Sequence, residues 1–134
     1  MRINKSVFRY IEFELYNYQE TKRELERYKE EILESTNIPE VNVQTMPGNV
    51  TESKAIKITS SPFVMRAEKT IKAIDKALAI LGEQHWRIFK LKYCDCMPWQ
   101  EVCLEMDISD RTYFRWRREL VMTVGQQLGL LNIE

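Results

Sequence analysis

Apolar side chains recur three and four residues apart in three blocks of the chain, the spacing of one face of an α-helix. In the first block, from about Asn4 to Ser35, the stripe is Phe8, Ile11, Leu15, Tyr18, Leu25 and Ile32. Lys22 and Lys29 interrupt it, and Tyr28 partly replaces the latter. The opposite face is dense in Glu, Lys and Arg, with Glu20, Glu24 and Arg27 at helical separations, and the block holds no Gly or Pro. The pattern predicts one long amphipathic helix of coiled-coil character.

The second block has Ser61 as candidate N-cap and Pro62 as first helical residue. Val64, Ala67, Ile71, Ile74, Leu78 and Leu81 follow at strict three-four spacing, and Gly82 is placed to end the helix. The third block, Glu83 to Gly129, divides into Glu83–Tyr93, Pro98–Met106 and Asp110–Leu128. Between the first two blocks, residues 36–61 hold Pro39, Pro47, Gly48 and several Asn and Thr without periodicity. This segment reads as a flexible linker, too long for an ordinary loop inside a compact domain. The fold expected is all-α. Residues 1–35 form an N-terminal helix for oligomerisation or packing, 36–61 a linker, and 62–134 a helical domain with a helix-turn-helix at 98–124.

The segment PWQEVCLEMDISDRTYFRWRREL carries the functional expectation. A helix-turn-helix needs a short first helix with an apolar inner face, a tight turn, and a second helix with one side buried and the other free to enter a groove. Val102, Cys103 and Met106 supply the first inner face, with Cys103 small enough for close helix approach. Asp107 stands at the turn, where Asp tolerates a left-handed backbone. Ile108 fills the gap between the helices. Ser109 is placed to cap the second helix, and Asp110 suits its positive end. Tyr113, Trp116, Leu120 and Val124 are expected inside. Arg111, Thr112, Arg115 and Arg118 are expected outside, with Phe114 and Arg117 on the flanks. Arginines near the N-terminal half can bind guanine edges bidentately, and Phe114 or the Thr112 methyl can meet a thymine methyl. Arg117, Arg118, Lys90 and Lys92 are assigned to phosphates, which give affinity without specificity. The bland alternative is a helical hairpin with a solvated arginine face.

Bulk charge does not announce such a partner: 20 Lys and Arg balance 20 Asp and Glu. What matters is where the cations sit. No apolar run approaches membrane-spanning length, and the N-terminus lacks a signal-peptide core, so a cytoplasmic protein without membrane association is expected. Cys94, Cys96 and Cys103 are crowded together with His85 nearby. A Cys-x-Cys gap is too short to set two thiolates comfortably on one zinc ion, so the cysteines read as small apolar groups and no cofactor or metal is expected. His85 has no triad around it, the glycines form no phosphate loop, and no catalytic site is expected. Trp86, Trp99 and Trp116 read as core fillers before base-stacking groups.

The stretch QEVCLEMDISDRTYFRWRREL resembles the helix-turn-helix of sigma-factor region 4. Together with ELYNYQETKRELERYKEEILE, the segment ISDRTYFRWRREL is similar to the RinA/ArpU family of phage transcriptional regulators. The resemblance covers both ends of the chain. It departs at Asp107, where Gly is usual, and at the aromatic Tyr113 and Trp116. It implies an activator of phage late genes in the host bacterial cytoplasm, bound to double-stranded promoter or operator DNA, with host RNA polymerase as a second contact. Helix-turn-helix proteins usually bind as dimers, so a homo-oligomer is expected, built through the first helix. An antiparallel pairing of that helix with 63–81 inside one chain is the alternative. Two other functions fit the pattern. One is a terminase small subunit recognising packaging DNA, and the other is a polymerase-binding module that reads no DNA.

Overall fold

The structure, a computed structural model, describes residues 3–35 and 61–131. The expected linker therefore lies outside the described residues apart from Ser61. All regular structure among the described residues is helical, as the periodicity predicts.

Helix α1, Lys5–Tyr16, starts where Asn4 Oδ1 accepts the Ser6 N–H at 2.8 Å. The expected single helix to Ser35 is in fact two. Asn17 leaves helical geometry, at φ −94° and ψ 5°, and both its backbone N–H and its side-chain amide donate to the Phe13 carbonyl. A short polar side chain that shares the i−4 carbonyl with its own backbone bends a helix this way. Helix α2 then runs Tyr18–Ser35. Helix α3, Pro62–Leu81, ends at Gly82, whose φ of +106° suits a residue without Cβ.

Helix α4, Glu83–Ile88, passes into a π-helical turn, Phe89–Cys94, where a regular helix to Tyr93 was expected. The Asp95 N–H reaches back five residues to the Lys90 carbonyl. Here Ile88 serves one apolar cluster while Phe89 and Tyr93 serve another. Helix α5 is Trp99–Met106 and α6 is Asp110–Gln127.

The chain forms two compact units, residues 1–19 with 70–134, and residues 20–69; α2 and α3 run through both. The first unit has two cores. Ile11 and Leu15 of α1, Ala73, Ile74 and Ala77 of α3, Phe89, Tyr93, and Leu120, Val121 and Val124 of α6 make one. Ile88, Val102, Cys103 and Tyr113 make the other, with Met106, Ile108 and Trp116 against it. Each fully buried aliphatic or aromatic side chain contributes about 1.5–3 kcal/mol. A Cβ on Gly125 would stand 2.9 Å from Ile11 Cδ1, so the missing side chain lets Ile11 lie close against α6 here. In the second unit Leu25, Val64 and Ala67 are buried. The Tyr28 and Phe63 rings lie 5.3 Å apart, and Lys29, an interruption of the predicted stripe, pairs with Glu68 at 3.0 Å.

Candidate nucleic-acid interface

Helices α5 and α6 are joined by a turn of three residues. Asp107 takes the left-handed conformation at φ 53°, ψ 52°, as its short side chain permits. Ile108 is half-buried against the Val102–Tyr113 cluster. The Ser109 hydroxyl accepts the Thr112 N–H at 3.2 Å and donates to Thr112 Oγ1 at 3.0 Å. Both residues are therefore occupied as the cap of α6. Asp110 is exposed in the first turn, where a carboxylate offsets the helix dipole.

Along α6 the two faces separate. Tyr113, Leu120 and Val124 are buried and Trp116 half-buried. Arg111, Arg115 and Arg118 are all exposed. Their spacing of four and three places them in one stripe about 10 Å long. Phe114 is exposed beside this stripe; its ring lies tilted at 5.3 Å from Trp99 of α5 and edge-on at 5.0 Å to Tyr113. Trp99 is thus a packing residue with one side half-open. Arg115 and Arg118 also line a groove with Leu81, Glu119 and Met122, where α3 ends against α6.

Arg117 corrects the sequence reading. Its Nε and Nη2 donate to the two oxygens of Glu12 at 3.0 and 2.9 Å, and its guanidinium lies 5.0 Å above the Phe8 ring. Tyr93 also donates its hydroxyl to Glu12, at 2.6 Å. Burial by itself raises the Glu12 carboxyl; the hydrogen bonds from Arg117 and Tyr93, and the charges of Arg117 and Lys92, outweigh it and hold the group below its ordinary value. Arg117 therefore ties α6 to α1 and leaves no phosphate contact. Lys92 is likewise withdrawn from the phosphate role. It donates to the Tyr16 hydroxyl at 3.0 Å and lies over the Tyr93 ring. Lys90 stands 3.7 Å from Asp95.

Position in the stripe carries a signal that the sequence reading did not use. Arg117 lies four residues after Tyr113 and three before Leu120, and Glu12 lies four after Phe8 and three before Leu15. Both charges sit at inward-facing spacings, as two buried partners would. His85 is buried, with Nε2 3.2 Å from Glu119 Oε1 and its ring beside Trp116. Cys103 is buried in the core, where desolvation and then the Asp110 charge push its thiol up.

The exposed side of α5 has the opposite character. Gln100, Glu101, Leu104 and Glu105 face solvent, and the helix contains no Lys or Arg. The site thus offers guanidinium groups along α6 to an anionic or base-edge ligand and carboxylates along α5.

A family model described as protein of unknown function (DUF722) matches residues 15–126. No curated protein and no solved structure matches the chain.

Proposed function

We propose that this chain, which belongs to the DUF722 family of proteins of unknown function, is a sequence-specific DNA-binding regulator of transcription. One observation carries the reading. Arg111, Arg115 and Arg118 form a single exposed stripe on a helix whose other side is buried and whose N-terminus is fixed by Ser109. Such a helix, preceded by a short partner and a tight turn, is suited to the major groove. Arg111 and Arg115 take the base-reading role, since paired guanidinium donors match guanine O6 and N7. Arg118, further along the helix, is a phosphate partner, and Phe114 is the candidate for a thymine methyl. Ser109, Thr112 and Asp110 act by holding the helix end.

Activation of phage late genes, with host RNA polymerase as a second partner, rests on the resemblance to the RinA/ArpU regulators and is part of the same proposal. The test is selection of bound duplexes from a random DNA pool by the full chain. A reproducible motif is expected, lost in Arg111→Ala/Arg115→Ala. Enrichment of no motif by the unaltered chain refutes sequence reading.

A further inference from the structure

We infer that His85 is a positioning residue for Arg115: by holding the Glu119 carboxylate, it keeps that acid from neutralising the guanidinium on their shared helix face. The inference rests on the DNA-binding reading above and names what keeps one of its base-reading arginines available.

An arginine on a helix surface meets the residues three and four positions away. For Arg115 these are Arg111, Thr112, Arg118 and Glu119. Glu119 is the one acid among them, and it lines the same groove as Arg115 beside Leu81 and Met122. That spacing favours an ion pair between the two. Among the described residues Arg115 enters no ion pair. Glu119 is engaged elsewhere: its Oε1 lies 3.2 Å from His85 Nε2. A carboxylate only accepts, so Nε2 carries a proton and donates it.

The holder is built into the fold. Gly82 turns the chain out of α3 at φ +106°, and α4 begins at the next residue. His85 and Ile88, three apart on α4, are both buried. The His85 ring lies 5.9 Å from the ring of Trp116, which stands on α6 one turn before Glu119. Packing therefore fixes the imidazole, and the imidazole fixes the carboxylate. Stability alone does not account for a histidine here. Its Nδ1 is buried with no hydrogen-bond partner among the described residues, and an unmet buried nitrogen costs stability that an apolar ring does not. What the imidazole adds over a phenyl ring is the Nε2 donor on Glu119. Without it the exposed carboxylate of Glu119 could turn back toward Arg115, about 6 Å away along the axis.

The experiment is anisotropy titration of the full chain on the selected duplex and its single-base variants, with Arg115→Ala marking the base pair that Arg115 reads. His85→Phe is expected to weaken binding about two- to fivefold, the strength of one exposed ion pair. Preference is expected to relax at that base pair and to persist at the one Arg111 reads. Glu119→Asp, too short to keep the His85 contact but still charged, is expected to do the same from an exposed position that leaves the core intact. In a Glu119→Gln background His85→Phe is expected to change neither quantity. An equal effect of His85→Phe in both backgrounds, or relaxation at the Arg111 base pair as well, overturns the inference. The 1H–15N signal of the Arg115 Nε–H, recorded without DNA, separates the two readings. It is expected to shift in His85→Phe and Glu119→Asp. If it shifts and no duplex is selected, the hold of His85 on Glu119 stands and base reading falls. If it stays in place in both variants, the inference falls whatever duplex is selected.

Discussion

Two arginines of α6, two residues apart, have opposite fates. Arg115 is exposed, whereas Arg117 spends its guanidinium on Glu12. Arg111→Ala and Arg115→Ala are each expected to weaken binding to the selected duplex by about 1–3 kcal/mol and to relax preference at one base pair. Anisotropy titrations against single-base variants of that duplex check this. Substitution at the Glu12 end acts on stability. Glu12→Gln leaves the Arg117 charge half-buried without its partner, at a cost of about 2–3 kcal/mol in chemical denaturation. The sign of the pH dependence follows from the lowered Glu12 carboxyl. A group held below its unfolded value stabilises the fold above that value, and the contribution fades as pH falls through the ordinary carboxylate range toward the folded one. The thermal stability of the native chain should therefore fall from about pH 5 downward, and the Glu12→Gln variant should lose part of that slope. The separation of Arg115 from Arg117 was only half legible in the sequence. Helical spacing gave the buried aromatic side of α6 correctly. Arg117 occupies that same side, and its charge concealed an inward position whose partner lies 105 residues away.

At the scale of elements, termini were more legible than interiors. Asn4, Pro62, Gly82, Asp107 and Ser109 each announce a boundary through chemistry confined to a few residues, and the structure places boundaries there. The break at Asn17 and the π turn at Phe89–Cys94 fell inside segments that read as continuous helices. At Asn17 the break depends on a side-chain amide competing for the Phe13 carbonyl, and in the π turn two cores draw on neighbouring residues. Apolar periodicity does not encode either event. The α6 cap offers a direct measurement. Ser109→Ala removes the acceptor of the Thr112 N–H and is expected to cost about 1 kcal/mol, while Ser109→Asp keeps most of it. Differential scanning calorimetry distinguishes the two variants.

Across the whole molecule, chain order and spatial order differ. One unit joins residues 1–19 to 70–134, and Ile11 and Leu15 stand in the same core as Leu120 and Val124. A fragment beginning at Pro62 would keep α3 to α6 but uncover that core. It is expected to show weak near-ultraviolet dichroism and to bind hydrophobic dye, and addition of a peptide covering residues 1–19 should reverse both. The bridge from Glu12 to Arg117 also has a consequence for biosynthesis. The ribosome makes α1 before its partners in α6, so Ile11 and Leu15 must wait, uncovered, while the residues between them are translated. A message cut short before the Arg117 codon would leave a nascent product whose α1 lacks its α6 cover, a ready substrate for chaperones and quality-control proteases.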